Sequence, residues 1–401
     1  MYKENPRPWN EGVAKSITFI VTKDCQLACK YCYLIGKNNN ERMTFDVAQK
    51  AIDYILTHRN LFNEESVIWD FIGGEPLIEV QLIDQICDYV KLRMFELDHP
   101  WFNNYRFNIS TNGLNYHTEK VQSFIAKNQA HLSIGITIDG TRIKHDLNRI
   151  YKGTGAGSYD DVVKNIPLWI EQFPGDGTKV TISSADIPYI TESVLHLFGL
   201  GISNVSINCV FENVWQEDDD VLFENQLIKL ADAIIDQELY LSNTCSFFDE
   251  MIGKPLDSSD NKNWCGAGRM LSIDAGGIFY PCTRFAKYSL RSKPALSIGN
   301  VEDGINENLL RPFLTLNRKD QSTTECLKCE VASGCAWCQG ENYDAADTNT
   351  IYQRATAICK MHKARVRANN YYWNKLYRKL ELEGRREEFE NNKKVSNPVI
   401  C

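Results

Sequence analysis

Three cysteines stand on one short segment, Cys25, Cys29 and Cys32, in the pattern CxxxCxxC. The segment follows residues 17–22, a β-branched and aromatic run that predicts a strand. Cysteine thiolates are the standard ligands of 4Fe–4S clusters, so this loop can hold three of the four irons and leave the fourth open. A zinc loop is the alternative reading. Zinc requires a fourth ligand nearby, however, and no His or Cys lies between Cys32 and His58.

A second group of residues that could bind a ligand follows the next predicted strand, residues 67–72. It consists of Gly73, Gly74, Glu75 and Pro76. The two glycines permit close approach of the backbone to a ligand, and the carboxylate can accept hydrogen bonds from an ammonium group. A tight turn that ends the strand is the simpler reading of these four residues taken alone. Their position one strand after the cysteine loop favours a shared binding site.

Together the two motifs resemble the radical S-adenosylmethionine (SAM) superfamily. The resemblance implies that the amino and carboxyl groups of SAM bind the open iron. The reduced cluster then cleaves SAM to a 5′-deoxyadenosyl radical, which abstracts a hydrogen atom from the substrate. Residues 139–149 (DGTRIKHDLNR) look like the family's DGxxxxHxxxR signature. His145 in that signature is expected to be structural, holding its loop.

The resemblance also implies which residues contact SAM. The GGEP motif would bind the amino group, Arg149 the carboxylate, and Thr137 the ribose. A planar guanidinium suits a carboxylate because it can donate two parallel hydrogen bonds. Tyr31 would reach the adenine through its backbone and Val210 through an apolar contact, although Thr137 and Val210 could equally be ordinary strand residues. The full set of expected SAM contacts is Tyr31, Gly73, Gly74, Glu75, Ser110, Thr137, Arg149 and Val210.

Seven further cysteines in the second half of the chain resemble a SPASM domain, whose pattern is C…GxxxxC, then CxxCx5CxxxC, then C. Such domains bind two auxiliary 4Fe–4S clusters. The resemblance implies a proximal cluster on Cys265, Cys282 and Cys338, and a distal cluster on Cys326, Cys329, Cys335 and Cys359. Cys335 and Cys338 are separated by two residues where the family shows three. The proximal cluster would lack one thiolate, which leaves an open iron unless Cys245 supplies the ligand. A zinc ribbon is the alternative for the CxxC pairs.

The elements that position these residues alternate between strand and helix. Strands are predicted at 17–22, 67–72, 105–109, 132–138, 179–183 and 205–210, and amphipathic stretches between them, such as 44–56 and 81–92, predict helices. This alternation favours an α/β fold with a parallel sheet. The resemblance makes it a partial (β/α)6 barrel, related to TIM barrels. We expect an N-terminal arm at 1–14, the barrel at 15–240, a SPASM domain at 241–365, and a C-terminal helix and tail at 366–401.

Composition places limits on partners and location. The chain has 401 residues, a net charge of −8 and 14 cysteines. An acidic chain gives no reason to expect nucleic acid as a partner, and no apolar run approaches the ~20 residues of a membrane span. No signal peptide is visible, so we expect a cytoplasmic location, where many cysteines indicate metal binding rather than disulfides.

Radical SAM enzymes with SPASM domains mostly modify ribosomally made peptides or proteins. This chain especially resembles maturases that form thioether crosslinks, from a Cys sulfur to carbon, in Cys-rich or CxxxC-repeat precursors. The resemblance implies three 4Fe–4S clusters, SAM, a Cys-containing precursor peptide and a reducing partner such as flavodoxin or ferredoxin. The arm before the first strand is too short for a fused peptide-recognition domain. A separate leader-recognition protein is therefore possible.

Two other peptide chemistries stay open. Formylglycine-forming sulfatase maturases carry an Asp directly after the Pro-Cys of the SPASM motif, where this chain has Thr283. Threonine has no useful basicity at neutral pH, which counts against that reaction. Carbon–carbon crosslinking of a peptide is the second alternative. A non-catalytic iron–sulfur electron carrier is a different class, but a carrier would need no SAM pocket.

Overall fold

The computed structural model describes residues 14–37, 39–254, 265–335 and 337–396. The arm expected at 1–14 lies outside this range apart from its last residue, and so does Cys401. Within the described range, no helix is both long and apolar enough to cross a bilayer.

The strands form two sheets. The larger sheet has eight strands in the order β11-β10-β9-β8-β1-β2-β3-β4, and the smaller has β5-β6-β7. The strands are β1 (Ala14–Thr22), β2 (Ser66–Gly73), β3 (Tyr105–Thr111), β4 (Leu132–Ile136), β5 (Thr178–Ile182), β6 (Asn204–Cys209), β7 (Thr244–Cys245), β8 (Leu271–Ile273), β9 (Ile278–Tyr280), β10 (Gly299–Asn300) and β11 (Gly304–Ile305). Strands β8, β1, β2, β3 and β4 are parallel, as are β5, β6 and β7. The predicted α/β fold with parallel strands is confirmed.

Helices connect the strands of the first half and cover the sheet. They are α1 (Phe45–Thr57), α2 (Val80–Glu96), α3 (Glu119–Asn128), α4 (Arg142–Asn148), α5 (Tyr159–Val163), α6 (Ile166–Gln172), α7 (Ile190–Gly199) and α8 (Asp219–Asp236). In the second half they are α9 (Glu307–Thr315), α10 (Arg318–Gln321), α11 (Thr324–Leu327), α12 (Gln339–Asp344), α13 (Cys359–Leu382) and α14 (Arg386–Ser396). Helix α1 begins where Thr44 accepts a hydrogen bond from the N–H of Val47, as a good N-cap does.

Alternate side chains of β1 face two different environments, the apolar core under the helices and the inside of the half-barrel. Ile17, Phe19 and Val21 are fully buried on the side that packs against helices. Thr18 points the other way, into the lumen of the half-barrel, where its hydroxyl donates to Asp70 of β2. Successive side chains of a strand face opposite sides, so one face can be apolar while the other carries polar groups.

The predicted run of six parallel strands is interrupted between β4 and β5. No strand ladder joins them in the described chain; side chains make the link instead. The Thr178 hydroxyl donates to Ile136 O at 2.7 Å and accepts from the N–H of Ile138 at 3.1 Å. The Asp176 carboxylate accepts from the N–H of Ile134 at 3.0 Å. Buried backbone groups are thereby satisfied without a ladder.

Two features of the second half differ from expectation. Strand β8 extends the sheet at β1, so the cysteine-rich segment joins the same sheet as the first strand of the barrel. The predicted C-terminal helix is two helices, α13 and α14, because Gly384 adopts a φ of +67° directly after α13. Glycine favours that left-handed conformation, which ends a helix. Helix α13 packs against α8.

Candidate functional site

The cysteine loop after β1 is held by backbone pairing to the residues after α4. Ala28 N–H donates to Ile150 O at 2.8 Å, Lys30 N–H to Asn148 O at 3.1 Å, and Lys152 N–H to Gln26 O at 2.9 Å. These bonds fix the loop that carries Cys25, Cys29 and Cys32 beside the segment that contains Arg149. Two parts of the predicted site, the cysteine loop and the segment of Arg149, are therefore neighbours.

The thiols of this loop interact with one another and with nearby donors. Leu27 N–H donates to the Cys25 sulfur at 3.4 Å. Burial raises the pKa of Cys25 to about 11, and the charge of Lys37 opposes that rise. Burial also raises the pKa of Cys29, with Arg149 opposing it and Cys32 adding to it. Iron binding would deprotonate these thiols, as metals do to their cysteine ligands.

The Gly73–Gly74 turn packs directly on the stem of the cysteine loop. A Cβ on Gly73 would lie 2.2 Å from Thr22 O, and one on Gly74 would lie 2.1 Å from Asp24 O. Gly74 N–H donates to Thr22 O at 2.9 Å, and Glu75 N–H to Asp24 O at 2.8 Å. The glycines thus permit close approach to the loop's own backbone.

Glu75 is buried and ties the ends of β2 and β3 together. Its carboxylate accepts from the Thr111 hydroxyl at 2.6 Å, from Asn112 N–H at 2.7 Å and from Leu77 N–H at 3.0 Å. Burial raises the pKa of this carboxyl, while these hydrogen bonds oppose the rise. A carboxylate has about four acceptor positions, so one of them stays available for the expected ammonium group.

Arg149 is 6% exposed and is held from two sides. Its Nη1 donates to the Tyr31 hydroxyl at 3.0 Å, and that hydroxyl donates to Asp139 at 2.5 Å. Its backbone O accepts from the Ser158 hydroxyl at 2.9 Å. The Nε of Arg149 is buried and has no hydrogen-bond partner in the described chain. An unpaired guanidinium donor in this position fits an incoming acceptor such as a carboxylate.

His145 supports this arrangement. Its Nε2 lies 3.0 Å from the Ser158 hydroxyl, and its Nδ1 accepts from the N–H of Asp139 at 3.3 Å. The donation to Nδ1 assigns the proton to Nε2. Burial, aided by the Arg149 charge, lowers the pKa of His145 to about 3, so the ring is neutral. The residue has the local holding contacts that the sequence suggested.

A buried lysine, Lys144, stabilises the negative charge of Asp139. Lys144 is fully buried and lies 3.5 Å from Asp186 and 4.0 Å from Asp139, and it donates to Thr181 O at 2.9 Å. Burial alone would raise the pKa of Asp139, but the charges of Lys144 and Arg149 lower it below its usual value. Sequence reasoning did not single out Lys144 and Asp186, because their contacts join segments about forty residues apart.

A cavity of 360 Å³ opens beside the cysteine loop, and its wall includes both residues expected near adenine, Tyr31 and Val210. Val210 is 9% exposed, and its N–H donates to Ile182 O at 2.9 Å. Thr137 N–H continues the β3–β4 ladder with a bond to Thr111 O. Ser110 lies at the end of β3 and is exposed. The complete wall is Lys30, Tyr31, Cys32, Tyr33, Ile35, Asn148, Ser183, Ser184, Ala185, Val210, Glu212, Val214, Ser289, Arg291 and Asp344.

Several of the seven cysteines of the second half lie close enough for their thiols to influence one another. Burial raises the pKa of Cys282 and Cys338, and each thiol is also affected by the charge of Cys265. The thiols of Cys335 and Cys359 respond in the same way to burial and to Cys326, and Cys359 also to Cys329. The assignment of these cysteines to two clusters stays a prediction. No three His, Cys, Asp or Glu side chains among the described residues converge closely enough for a single metal ion.

The remaining described cysteines lie elsewhere. Cys87 is fully buried on α2. Cys245 is buried in β7; burial raises its pKa to about 11, and its nearest charged group is the Arg365 guanidinium. Cys209, in β6, is next to the same guanidinium. The neighbours of Cys245 are therefore those of β6 and α13.

The lumen of the half-barrel carries an acid that sequence reasoning did not select. Asp70 accepts from the Asn108 amide at 2.6 Å and from the Thr18 hydroxyl at 3.4 Å. Burial raises its pKa to about 6, while these bonds and the charge of Lys179 oppose the rise. Closed TIM barrels fill their interior with packed side chains. Here polar groups occupy the interior.

Comparisons with known proteins agree with this geometry. The sequence profile of the Radical SAM superfamily matches residues 19–194. An uncharacterized protein of Methanocaldococcus jannaschii is 33% identical over 293 residues, which is 72% of this chain and 89% of that protein. The chain belongs to the radical SAM superfamily.

Relatives with assigned activities are more distant. The radical SAM cyclopropyl synthase TigE of Paramaledivibacter caminithermalis is 21% identical over 377 residues, covering 88% of this chain and 73% of TigE. The serine-type anaerobic sulfatase-maturating enzyme of Bacteroides thetaiotaomicron is 21% identical over 343 residues, covering 78% of each chain.

Solved structures show the same fold. That of anSMEcpe with bound AdoMet and Cp18Cys peptide has a TM-score of 0.67 at 18% identity, covering 90% of this chain and 99% of that one. That of Streptococcus suis SuiB bound to its precursor peptide SuiA has a TM-score of 0.58 at 15% identity, covering 86% of this chain and 75% of that one. Membership in the family implies a 4Fe–4S cluster and SAM. The three thiols of the loop and the unpaired Nε of Arg149 fit these groups.

Replacing Arg149 tests the carboxylate contact. Arg149→Lys keeps the charge but loses the planar fork, so we expect SAM to bind ~10- to 100-fold more weakly, as the loss of a bond worth ~1.5–3 kcal/mol requires. Equilibrium dialysis of SAM against anaerobically reconstituted protein measures this. Arg142→Lys is the matched control, because Arg142 is exposed and pairs with Asp160. Unchanged affinity in Arg149→Ala would remove Arg149 from the site.

Replacing Asp70 tests the polar lumen. A carboxyl whose pKa rises from 3.8 to about 6 on folding stabilises the protein at low pH, and this stability is lost as pH rises through 6. The free energy of unfolding of Asp70→Asn should therefore exceed that of the wild type by on the order of 1–3 kcal/mol between pH 4 and 7. The two proteins should differ little below pH 4. Urea unfolding across that pH range measures it. The exposed Glu171→Gln is the control, and a pH-independent difference for Asp70→Asn would contradict the assignment.

Proposed function

We propose that this protein is a radical SAM peptide maturase that forms thioether crosslinks, from Cys sulfur to carbon, in a ribosomally made precursor. The observation that carries the proposal is the approach of the segments that hold Cys265, Cys282 and Cys338: Gly268 N–H donates to Pro281 O at 3.0 Å, and Arg284 donates to Glu341 at 3.0 Å. Three thiolates leave one cluster iron available to a thiolate of the substrate. Cys245 is not counted among the ligands in this scheme, because it lies in β7, where it pairs with Val205 of β6.

In this proposal each set of described residues has its own role. Cys25, Cys29 and Cys32 hold the first cluster, and Arg149, fixed by Tyr31 and by its own backbone bond to Ser158, orients the carboxylate of SAM. When bound, these groups supply a 5′-deoxyadenosyl radical that takes a hydrogen atom from the substrate. Cys326, Cys329, Cys335 and Cys359 hold the distal cluster.

The proposed substrate site adjoins the cavity next to the cysteine loop. The wall of this cavity includes Tyr31 and Val210 as well as Ser289, Arg291 and Asp344 of the cysteine-rich half. Relatives of the same fold bind peptides: anSMEcpe is seen with Cp18Cys peptide and SuiB with its precursor SuiA. A Cys-containing precursor is the proposed partner, with a reductant such as flavodoxin or ferredoxin and a separate leader-binding protein.

Formylglycine formation is the second candidate, because a serine-type sulfatase-maturating enzyme is similar over 78% of this chain. Against it stands Thr283 after Cys282. Its hydroxyl lies 3.2 Å from that of Ser272 and offers no proton acceptor of useful basicity. Carbon–carbon bond formation is the third candidate, supported by the similarity to TigE over 88% of this chain.

Iron analysis tests the number of clusters. Three cubanes require about 12 irons per chain. Replacement of Cys25, Cys29 and Cys32 by Ala should remove about four irons and all cleavage of SAM to 5′-deoxyadenosine. Cys87→Ala is the control, since that cysteine is buried on α2 away from the three sets. Iron for one cluster in fully reconstituted wild type would contradict the SPASM assignment.

Mass spectrometry of a processed precursor tests the bond type. Each thioether should lower the mass by about 2 Da, the two hydrogens lost in a two-electron oxidation. It should also protect one cysteine from alkylation. Formylglycine formation at Ser, or carbon–carbon crosslinking, would leave every cysteine open to alkylation. Complete processing of a precursor without cysteine would rule out the thioether reaction.

A further inference from the structure

Arg284 lies at the junction between the two halves of the protein. It follows Cys282 by two residues, and its side chain is 15% exposed. Its Nη2 donates to Glu212 at 2.8 Å and to Glu341 at 3.0 Å. One guanidinium nitrogen is thus shared by two carboxylates that lie far apart in the chain.

The two carboxylates belong to different parts of the site. Glu212 lines the cavity two residues after Val210, on the side expected to hold SAM. Glu341 lies in the first turn of α12, whose N-cap is Cys338. The Arg284 guanidinium also lies over the ring of Tyr33, at 5.0 Å from its centre, and Tyr33 directly follows Cys32. A single side chain therefore contacts neighbours of both the first and the proximal cysteine sets.

The charge of Arg284 also acts on the proximal sulfurs. Its partner Glu341 lies three residues after Cys338, and Arg284 itself lies two residues after Cys282, so the guanidinium carries its charge next to the segments of both cysteines. The backbone N–H of Arg284 donates to the sulfur of Cys282. A cation and an N–H donor next to thiolate ligands stabilise the negative charge that a cluster gains on reduction. The sequence pointed to Cys282 and Thr283 in this segment but not to Arg284, although its adjacency to Cys282 was a signal.

We propose that Arg284 is a positioning residue that would raise the reduction potential of the proximal cluster. This inference rests on the proposed function. In thioether formation the carbon gives a hydrogen atom to the 5′-deoxyadenosyl radical and the thiol gives a proton. Once the C–S bond has formed, one electron is left over, and the proximal cluster is its acceptor. A higher potential makes that transfer more favourable.

The test is a potentiometric titration, followed by EPR, of the full chain with Cys25, Cys29 and Cys32 replaced by Ala. Only the auxiliary clusters then give signals. Arg284→Gln should move one of the two midpoint potentials to a more negative value, because it removes the cation. Glu212→Gln should move the same midpoint to a more positive value, because it removes a carboxylate that offsets Arg284.

Arg354→Gln is the matched control. Arg354 donates to the sulfur of Cys335 at 3.4 Å, in the distal set, so its loss should move the other midpoint. If Arg284→Gln fails to assemble its clusters, the direction of the Glu212→Gln shift decides. Unshifted potentials in a chain with about eight irons would overturn this inference alone. A parent chain without auxiliary iron would overturn the proposed function and this inference with it.

Discussion

The site depends on one constraint, which is the backbone pairing of the cysteine loop. Residues 26–30 pair with residues 148–152. This pairing, with three hydrogen bonds worth about 0.5–1.5 kcal/mol each, favours one loop conformation. It fixes Cys29 beside Arg149, so the sulfur set and the proposed carboxylate contact are positioned by the same bonds. Glu75 adds the end of β3 to this frame.

Sequence predicted the strands and helices of the first half well, because periodicity is a local property. Alternation such as that of Ile17, Thr18 and Phe19 indicates which face of the strand packs in the apolar core. The gap between β4 and β5 could not be predicted in this way. It depends on the Thr178 hydroxyl replacing two ladder bonds, and a threonine in a strand has the same pattern whether or not it does so. The addition of β8 to the sheet is likewise a long-range pairing that leaves no periodic signal.

The candidate site also has a part that local sequence patterns predict and a part that depends on long-range contacts. Cysteine spacing predicted three sets of thiols because ligands of one cluster repeat at short intervals, and that assignment stays a prediction. The sequence did not predict the residues that join these sets. Arg284 meets Glu212 across 72 positions and Glu341 across 57 positions of sequence. Pairs of this kind become visible only when the fold brings the segments into contact.

The position of the cysteine-rich half follows from the sheet. Strand β8 pairs in parallel with β1, with Ile17 opposite Leu271 and Phe19 opposite Ile273. The loop that carries the first cysteine set leaves β1, and β8 leads through β9 to Cys282. Two adjacent strands of one sheet therefore help to set the separation between the loop of Cys25, Cys29 and Cys32 and the residue Cys282. Such rigidity matters for a reaction in which a hydrogen atom leaves one substrate atom and a bond forms at another, because misplacement of about 1 Å can slow a reaction ~100-fold.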